Sequence, residues 1–514
     1  MLTSTSELGD FAEEHRDHCE QFPKQTGGGL VHATPTPNFL IIITDQHRID
    51  TLAVYGSKIC QTPSLDRLAE SGVRFNNAYS VCALCSPARA SIYTGVYPHR
   101  HGMVVNEDEF SDEVRLISQG LREQGYVCGF VGKWHCGVRK LPRDFGFEGM
   151  NVPGYGNGAK TPEYRAFLQR NNLQPGKIVP LGTGWHTNTL LCGKLTSSEQ
   201  STVPYFLAEQ TIELMTDYHA RDVPFLLFCN FWEPHAPYLP AEPYASMYDP
   251  QSIPPWGNFY DDLTGKPNLH RRYRDAFLGE GQSLRRWEEW SLWVATYFGF
   301  VTMIDAQIGR ILDALNALNL AENTVVIFTT DHGDHVGAHG GIHDKDAMMY
   351  QETYHIPFLL RVPGMPAGTV IEQPITNMDI MPTILDLAGA DPRRQLDGRS
   401  LVPLVRDTSA PWEQDVLCVF NGHHTSYQSR MVTDGNYKYV FNAPDIDEFY
   451  DLKNDPWELC NLITEESQHD RIAHFRSRLL YWVQKSGDPL TGWIRNLFAL
   501  RPSTSPAEYT PYRD

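Results

Sequence analysis

The sequence predicts an α/β protein: a large, mostly parallel sheet flanked by helices, followed by a smaller C-terminal α+β domain. Three observations carry this reading. Four short apolar runs, over 39–44, 127–131, 225–231 and 325–330, lack the in-and-out alternation of a half-exposed strand, so each is expected to be buried on both faces, as in a parallel sheet. Helical periodicity fills the chain around them, at 63–71, 114–125, 207–218 and 293–318. Near the C-terminus, 431–440 reads as a hairpin turning at Asp434-Gly435, and a helix over 469–485 is placed to cover it.

Taken in order, residues 1–36 form an N-terminal extension. Its acidic stretch Glu13-Glu14-His15-Arg16-Asp17, with no apolar core behind a basic start, does not read as a secretion signal, so a cytoplasmic location is expected. The main domain spans 37–405. Each of its four buried runs ends in residues able to do chemistry: Asp45-Gln46, Gly132-Lys133-Trp134-His135, Glu233-Pro234-His235 and Asp331-His332. Ligands of open parallel sheets bind beyond the carboxyl ends of the strands, so these four ends are expected to converge on one cleft. Stretches over 151–203, rich in Gly, Asn and Thr, and over 238–284, rich in Pro, Tyr and Arg, read as insertions above it. Their aromatics Tyr155, Tyr164, Trp185, Tyr238 and Trp256 could stack on a sugar or aryl ring or serve local packing. A helix over 379–389 precedes a Pro- and Arg-containing linker, and 406–514 forms the smaller domain. Its tail, 491–514, is a candidate contact between copies of a homo-oligomer.

Composition excludes several classes. With 41% hydrophobic, 11% aromatic and 20% charged residues among 514, the chain can bury a large core and is not disordered, collagenous or a coiled coil. A formal charge of -19 and the lack of any Lys/Arg run argue against a nucleic-acid partner. The longest apolar stretches fall short of the roughly 20 residues that cross a bilayer, so no membrane span is expected. The ten cysteines lack the spacing of a disulfide framework. Only Cys82 and Cys85 stand close together, with no second Cys pair or His pair nearby to complete a structural zinc site.

The segment 81–95 is the most informative. Pro87 suits the first turn of a helix, which places Cys85 just before the helix N-terminus and Arg89 about one turn along, so a group at 85 sits in a field suited to an anion. A buried structural thiol is the plainer alternative. A cysteine-dependent phosphatase requires Arg at a fixed distance after its Cys, and Ala88 and Ser91 occupy that place after Cys82 and Cys85.

Cys85-x-Pro87-x-Arg89, followed by Ala90-Ser91 and Thr94-Gly95, resembles the signature of the formylglycine-dependent sulfatases of the alkaline phosphatase superfamily. The other strand ends resemble that family in the expected order, which implies an alkaline phosphatase-like fold and hydrolysis of a sulfate monoester. By the same resemblance, a maturation enzyme would oxidise Cys85 to Cα-formylglycine, and one hydroxyl of the hydrated aldehyde would attack sulfur. One divalent cation would be held by Asp45, Gln46, Asp331, His332 and the modified Cys85, donor types that suit such an ion. Many sulfatases carry a second Asp where Gln46 stands, so one negative charge is missing; calcium is the expected ion and manganese the alternative. Lys133 and Arg89 would neutralise charge on the sulfate, His135 would take a proton from the hydrate, and His235 and Lys345 would assist the departing alcohol. His335, His339 and His343 are further candidates for substrate contact. Ile304-Asp305 and the 449–462 segment resemble family sequences that serve packing and turns.

The Asp45-Gln46 start also resembles choline sulfatases and phosphonate monoester hydrolases. Gly132-Lys133-Trp134-His135, which the phosphonate hydrolases generally lack, tips the reading toward sulfate esters. Two alternatives stay open: hydrolysis of phosphonate monoesters or phosphodiesters by the same nucleophile, and a noncatalytic metal- or anion-binding protein whose Cys85 stays a thiol. The expected substrate is a small-molecule or carbohydrate sulfate ester, and its alcohol is not legible from one sequence.

Overall fold

In a computed structural model, which describes residues 36–183, 190–278, 286–423 and 425–500, the strand β1 (Asn38–Asp45) lies inside an eight-stranded sheet. The other strands are β2 (Val73–Phe75), β3 (Val127–Gly132), β4 (Glu148–Gly149), β5 (Phe225–Pro234), β6 (Thr324–Thr330), β7 (Phe358–Arg361) and β8 (Thr369–Ile371), in the spatial order β8-β2-β7-β6-β1-β5-β3-β4. β7 runs antiparallel to β2 and β6, and every other neighbouring pair is parallel.

Alternate residues of β1 feed two separate cores, which is why its sequence shows no alternation. Phe39, Ile41 and Ile43 pack with Leu226, Phe228, Val325 and Ile327 on one face. Leu40 and Ile42 pack with Leu227, Cys229, Val326 and Phe328 on the other. The first face is covered by α1 (Cys85–Thr94), through Ala90, Ile92 and Tyr93, and by the Ile380–Leu387 helix. The second is covered by α2 (Val203–Ala220), through Phe206, Leu207 and Met215, and by α3 (Trp287–Ala317), through Ile304, Ile308 and Ile311. Ile42 has no exposed surface, so truncation to Ala there would cost about 2–5 kcal/mol.

Several helix starts differ from expectation, among them Val203 in place of 207, and two have clear physical reasons. α1 begins at Cys85 itself, with Pro87 as its third residue. The first four N–H groups of a helix have no partner within it, so a proline at that position loses no hydrogen bond. α3 begins at Trp287, upstream of 293, because Trp287 and Trp290 already pack in a third apolar cluster with Phe259 and Val336. The helix expected over 114–125 is confined to Ile117–Arg122.

Toward the C-terminus, β9 (Val416–Phe420), β10 (Ser429–Thr433), β11 (Tyr437–Phe441) and β12 (Glu448–Asp451) form an antiparallel sheet in sequential order, with the β10–β11 hairpin turning at Asp434-Gly435. The helix α4 (His469–Lys485) covers it through Ile472, Phe475, Leu479 and Trp482. The same cluster includes Val81 and Tyr97, and Val419 N–H donates to Val81 O at 2.7 Å, so this sheet braces the segment leading into α1. The 151–203 stretch contains the Pro162–Arg170 helix and the antiparallel pair Ile178–Thr183 and Leu190–Leu195. The 238–284 stretch contains the Asn268–Leu278 helix. Trp185, the acidic stretch at 13–17 and the tail beyond 500 lie outside the described residues. No described helix is long and apolar enough to cross a membrane.

Candidate active site

β6, β1, β5 and β3 are consecutive neighbours in the sheet, so their carboxyl ends deliver Asp331-His332, Asp45-Gln46, Glu233 to His235 and Lys133 to His135 to one edge. The convergence expected from the strand ends is therefore present. A Cβ on Gly132, at φ +92°, would lie 1.8 Å from Asn230 O, so only glycine allows the turn that carries Lys133 out of β3. Gln46 (φ 63°) and His135 (φ 52°) hold left-handed backbone that such residues rarely adopt. α1 adds Cys85 at its first position and Arg89 one turn later on the same side.

Asp45, Cys85, Asp331 and His332 are all buried, and each offers a ligand atom within 4.8 Å of the others. Cys85 Sγ lies 3.2 Å from His332 Nε2 and 3.6 Å from Asp45 Oδ1. His332 Nδ1–H donates to Gly333 O at 2.8 Å, which turns Nε2 toward the cluster. Two carboxylates and an oriented imidazole beside residue 85 make a donor set that fits a divalent cation. Gln46, expected as a ligand, instead touches this set through its backbone, whose N–H donates to Asp331 Oδ1 at 3.1 Å. Its side chain is engaged elsewhere: Oε1 accepts from Lys345 Nζ at 2.7 Å, and Nε2 donates to Asp334 Oδ2 and Asp344 Oδ1 at 2.7 and 2.9 Å.

Cationic groups surround the carboxylates. Lys133 Nζ pairs with Asp45 Oδ2 and sits 4.2 Å over the Tyr155 ring. Arg89 donates to Asp331 Oδ2 at 2.9 Å, Asn230 Oδ1 at 3.2 Å and Lys133 O at 3.3 Å, and its Nη2 has no hydrogen-bond partner among the described residues. Burial alone would raise the Asp45 carboxyl, but the charges of Lys133, His235, Arg89 and His332 prevail and hold it well below its usual range. Trp134 stacks on Tyr93 (5.4 Å, 10°) and fixes the loop between Lys133 and His135. His135 Nε2–H donates to Glu107 Oε1 at 3.0 Å, which leaves its buried Nδ1 without a described hydrogen-bond partner. Burial and then the Lys133 charge hold His135 well below the usual imidazole range, so it is neutral at pH 7.

His235 Nδ1–H donates to Ala236 O at 2.7 Å, and Nε2 faces Lys345 Nζ at 3.4 Å. Burial followed by the Lys345 charge lowers His235 to about 4. Lys345 also donates to Asp344 Oδ1 at 2.9 Å; burial opposes its charge, yet Asp344, Cys85 and Asp45 raise it above its usual value. Asp45, Gln46, Cys85, Arg89, Lys133, His135, His235, Asp331, His332 and Lys345 thus all lie at this edge. The three further histidines pack elsewhere: His339 bonds Asp261 and Glu352, His335 packs against His339 and Tyr350, and His343 stacks on Phe277 (5.0 Å). Of the insertion aromatics, Tyr155 joins the site, whereas Tyr238 donates to Asp334 Oδ2 and Trp256 to Val336 O. Glu107, Asn230 and Asp344 escaped the sequence reading. Asp344 adjoins Lys345 and could have been suspected as its partner; nothing local marks Glu107.

Residues 37–390 match the sulfatase family, and 337–485 match the family described as N-sulphoglucosamine sulphohydrolase, C-terminal. The chain is 27% identical over 490 residues to the uncharacterized sulfatase YidJ of Escherichia coli (strain K12), across 91% of this chain and 92% of that protein. It is 29% identical over 475 residues to an arylsulfatase of Clostridium perfringens, across 86% and 94%. The solved phosphonate monoester hydrolase of Agrobacterium radiobacter superimposes with a TM-score of 0.74 at 25% identity, across 88% of this chain and 96% of that one.

Proposed function

Because the chain belongs to the sulfatase family and is a sulfuric ester hydrolase, we propose that it cleaves sulfate monoesters at the cluster around residue 85, with Cys85 oxidised to formylglycine and a divalent cation in the donor set. One observation carries this reading: Asp45, Asp331 and His332 meet around Cys85, while Lys133 and Arg89 contact the two carboxylates. Asp45, Asp331, His332 and the group at 85 would hold the cation, calcium in this reading with manganese as the alternative, which supplies Lewis-acid charge at the sulfate oxygens. Hydrated formylglycine supplies an oxygen nucleophile whose second hydroxyl lets sulfate leave by C–O cleavage.

The remaining work falls to side chains of this chain. Arg89, pinned by Asp331 and Asn230, has Nη2 left to donate to a nonbridging sulfate oxygen. Lys133 adds a point charge between Asp45 and the substrate. Neutral His135, with Nε2–H committed to Glu107, keeps Nδ1 available to accept a proton from the group at 85. Lys345, beside His235 Nε2, is suited to donate to the bridging oxygen as negative charge develops there.

Hydrolysis of phosphonate monoesters is the second reading, supported by the Agrobacterium radiobacter structure and the Asp45-Gln46 start. The deciding experiment uses protein coexpressed with a formylglycine-generating enzyme. Mass spectrometry of the Cys85 peptide is followed by kcat/KM on 4-nitrophenyl sulfate and 4-nitrophenyl phenylphosphonate. An aldehyde in place of the thiol and the higher value on sulfate are expected. Faster phosphonate cleavage overturns the substrate class, turnover with an intact thiol overturns the nucleophile, and an intact thiol without turnover favours a noncatalytic anion-binding protein.

A further inference from the structure

Beside the cluster lies a cavity of about 490 Å3 whose lining includes two residues already at the site, Tyr155 and His235. Tyr155 lies under Lys133, and His235 faces Lys345, so the cavity adjoins the side from which the alcohol would depart. Its walls are aromatic and apolar, with Tyr164, Trp232, Leu239 and Phe300 among them. Trp232 Nε1–H is taken by Tyr155 O at 2.7 Å and is not available to a ligand.

Glu233 is the one acidic side chain lining this cavity among the described residues, and no Lys or Arg lines it. It is only 8% exposed, and its Oε2 has no described hydrogen-bond partner. A buried carboxyl oxygen without a partner is costly and calls for an explanation. Burial pushes the Glu233 carboxyl up to about 8, outweighing backbone hydrogen bonds at Glu233 and Trp232 and the more distant Lys133 charge.

We infer that this cavity receives the alcohol part of the sulfate ester, and that Glu233 selects alcohols bearing a primary ammonium, held between its carboxylate and the surrounding aromatic rings. The inference rests on the reading of the Cys85 cluster as the sulfate site. It makes the substrate zwitterionic, with its sulfate against Lys133 and Arg89 and its cation against Glu233. An ammonium supplies both N–H donors for the carboxylate and the opposite charge, and its contact with ring faces adds a cation–π attraction. A neutral hydroxyl would supply the hydrogen bond without the positive charge that favours the ionised carboxylate over the neutral acid.

The test compares tyramine O-sulfate with 4-propylphenyl sulfate, in which a methyl group replaces the ammonium. Formylglycine-bearing wild type is expected to favour the cationic ester by about tenfold or more in kcat/KM, the scale of one charge-assisted contact, and this ratio should fall toward one in E233Q. A wild-type ratio of one or below, or a ratio unchanged in E233Q, overturns the inference. Calorimetric titration of wild type with the free alcohols, tyramine and 4-propylphenol, needs neither turnover nor a modified Cys85. Tighter binding of tyramine supports the inference even if the variant does not fold, and equal or weaker binding overturns it. Selective binding without any ester cleavage would instead count against the proposed reaction.

Discussion

Arg89 Nε lies 2.9 Å from Asp331 Oδ2, and neither side chain has exposed surface. The same guanidinium reaches Asn230 Oδ1 and Lys133 O, so one side chain ties α1 to the ends of β6, β5 and β3. In the metal-free protein its removal leaves Asp331 buried and uncompensated. R89A is therefore expected to lose about 3–5 kcal/mol of stability, read from the urea midpoint, together with turnover. R89K keeps the charge and loses the fork, so it should recover part of the stability and little activity. An unchanged midpoint in R89A would show that the pair does not hold the strand ends together.

The donor set makes turnover depend on a divalent ion. Chelation is expected to abolish activity and added calcium to restore it. D45N deletes one of the two carboxylates in the set, so calcium affinity should fall by on the order of 100-fold or more, at or beyond the range seen for outer-shell partners of a metal. Calorimetric titration with calcium measures this, and unchanged affinity would remove Asp45 from the set. D45N also strips Lys133 of its buried partner, so its stability must be followed in parallel.

The strand ends were legible because each central strand is buried on both faces, which leaves an unbroken apolar run pointing at the residue that emerges from it. Cys85 and Arg89 were legible through the resemblance of Cys85-x-Pro87-x-Arg89 to a family signature; their spacing of one helical turn alone left a structural thiol open. The contacts that finish the site were not, since they join residues far apart in sequence: Glu107 with His135 across 28 positions, Gln46 with Asp344 across 298. They also depend on left-handed backbone at Gln46 and His135, conformations that no local propensity announces. Gln46 illustrates the limit well. Its residue type suggests a metal ligand, and its fold environment commits the side chain to Lys345, Asp344 and Asp334.

Glu107 separates function from stability. Its side chain is 60% exposed, so E107A should change stability by no more than about 0.5 kcal/mol. Its carboxylate nevertheless receives His135 Nε2–H and so fixes which ring nitrogen is left to accept a proton. A loss of kcat by about tenfold or more is expected in E107A, the scale seen when an orienting partner is removed, and E107Q, which keeps the acceptor oxygen, should lose less. Wild-type kcat in E107A would mean that the ring orients itself.

Away from the site, Asp261 Oδ2 lies 3.0 Å from His339 Nδ1 and pairs with Lys266, while His339 Nε2 lies 3.2 Å from Glu352 Oε2. Burial works to raise the Asp261 carboxyl, but the His339 hydrogen bond and the Lys266 charge bring it down from 3.8 to about 2. A carboxyl whose folded value is depressed contributes stability that is present above its unfolded value and is lost as pH falls through the folded one. The contribution should therefore be complete above about pH 4 and vanish toward pH 2, with a size of roughly 2–3 kcal/mol from the linkage relation. D261N lacks it at every pH. Urea unfolding of wild type and D261N should show a gap of that size at pH 7 that narrows steadily between pH 4 and pH 2. A gap that stays constant through this range would assign the role of Asp261 to packing and not to its charge.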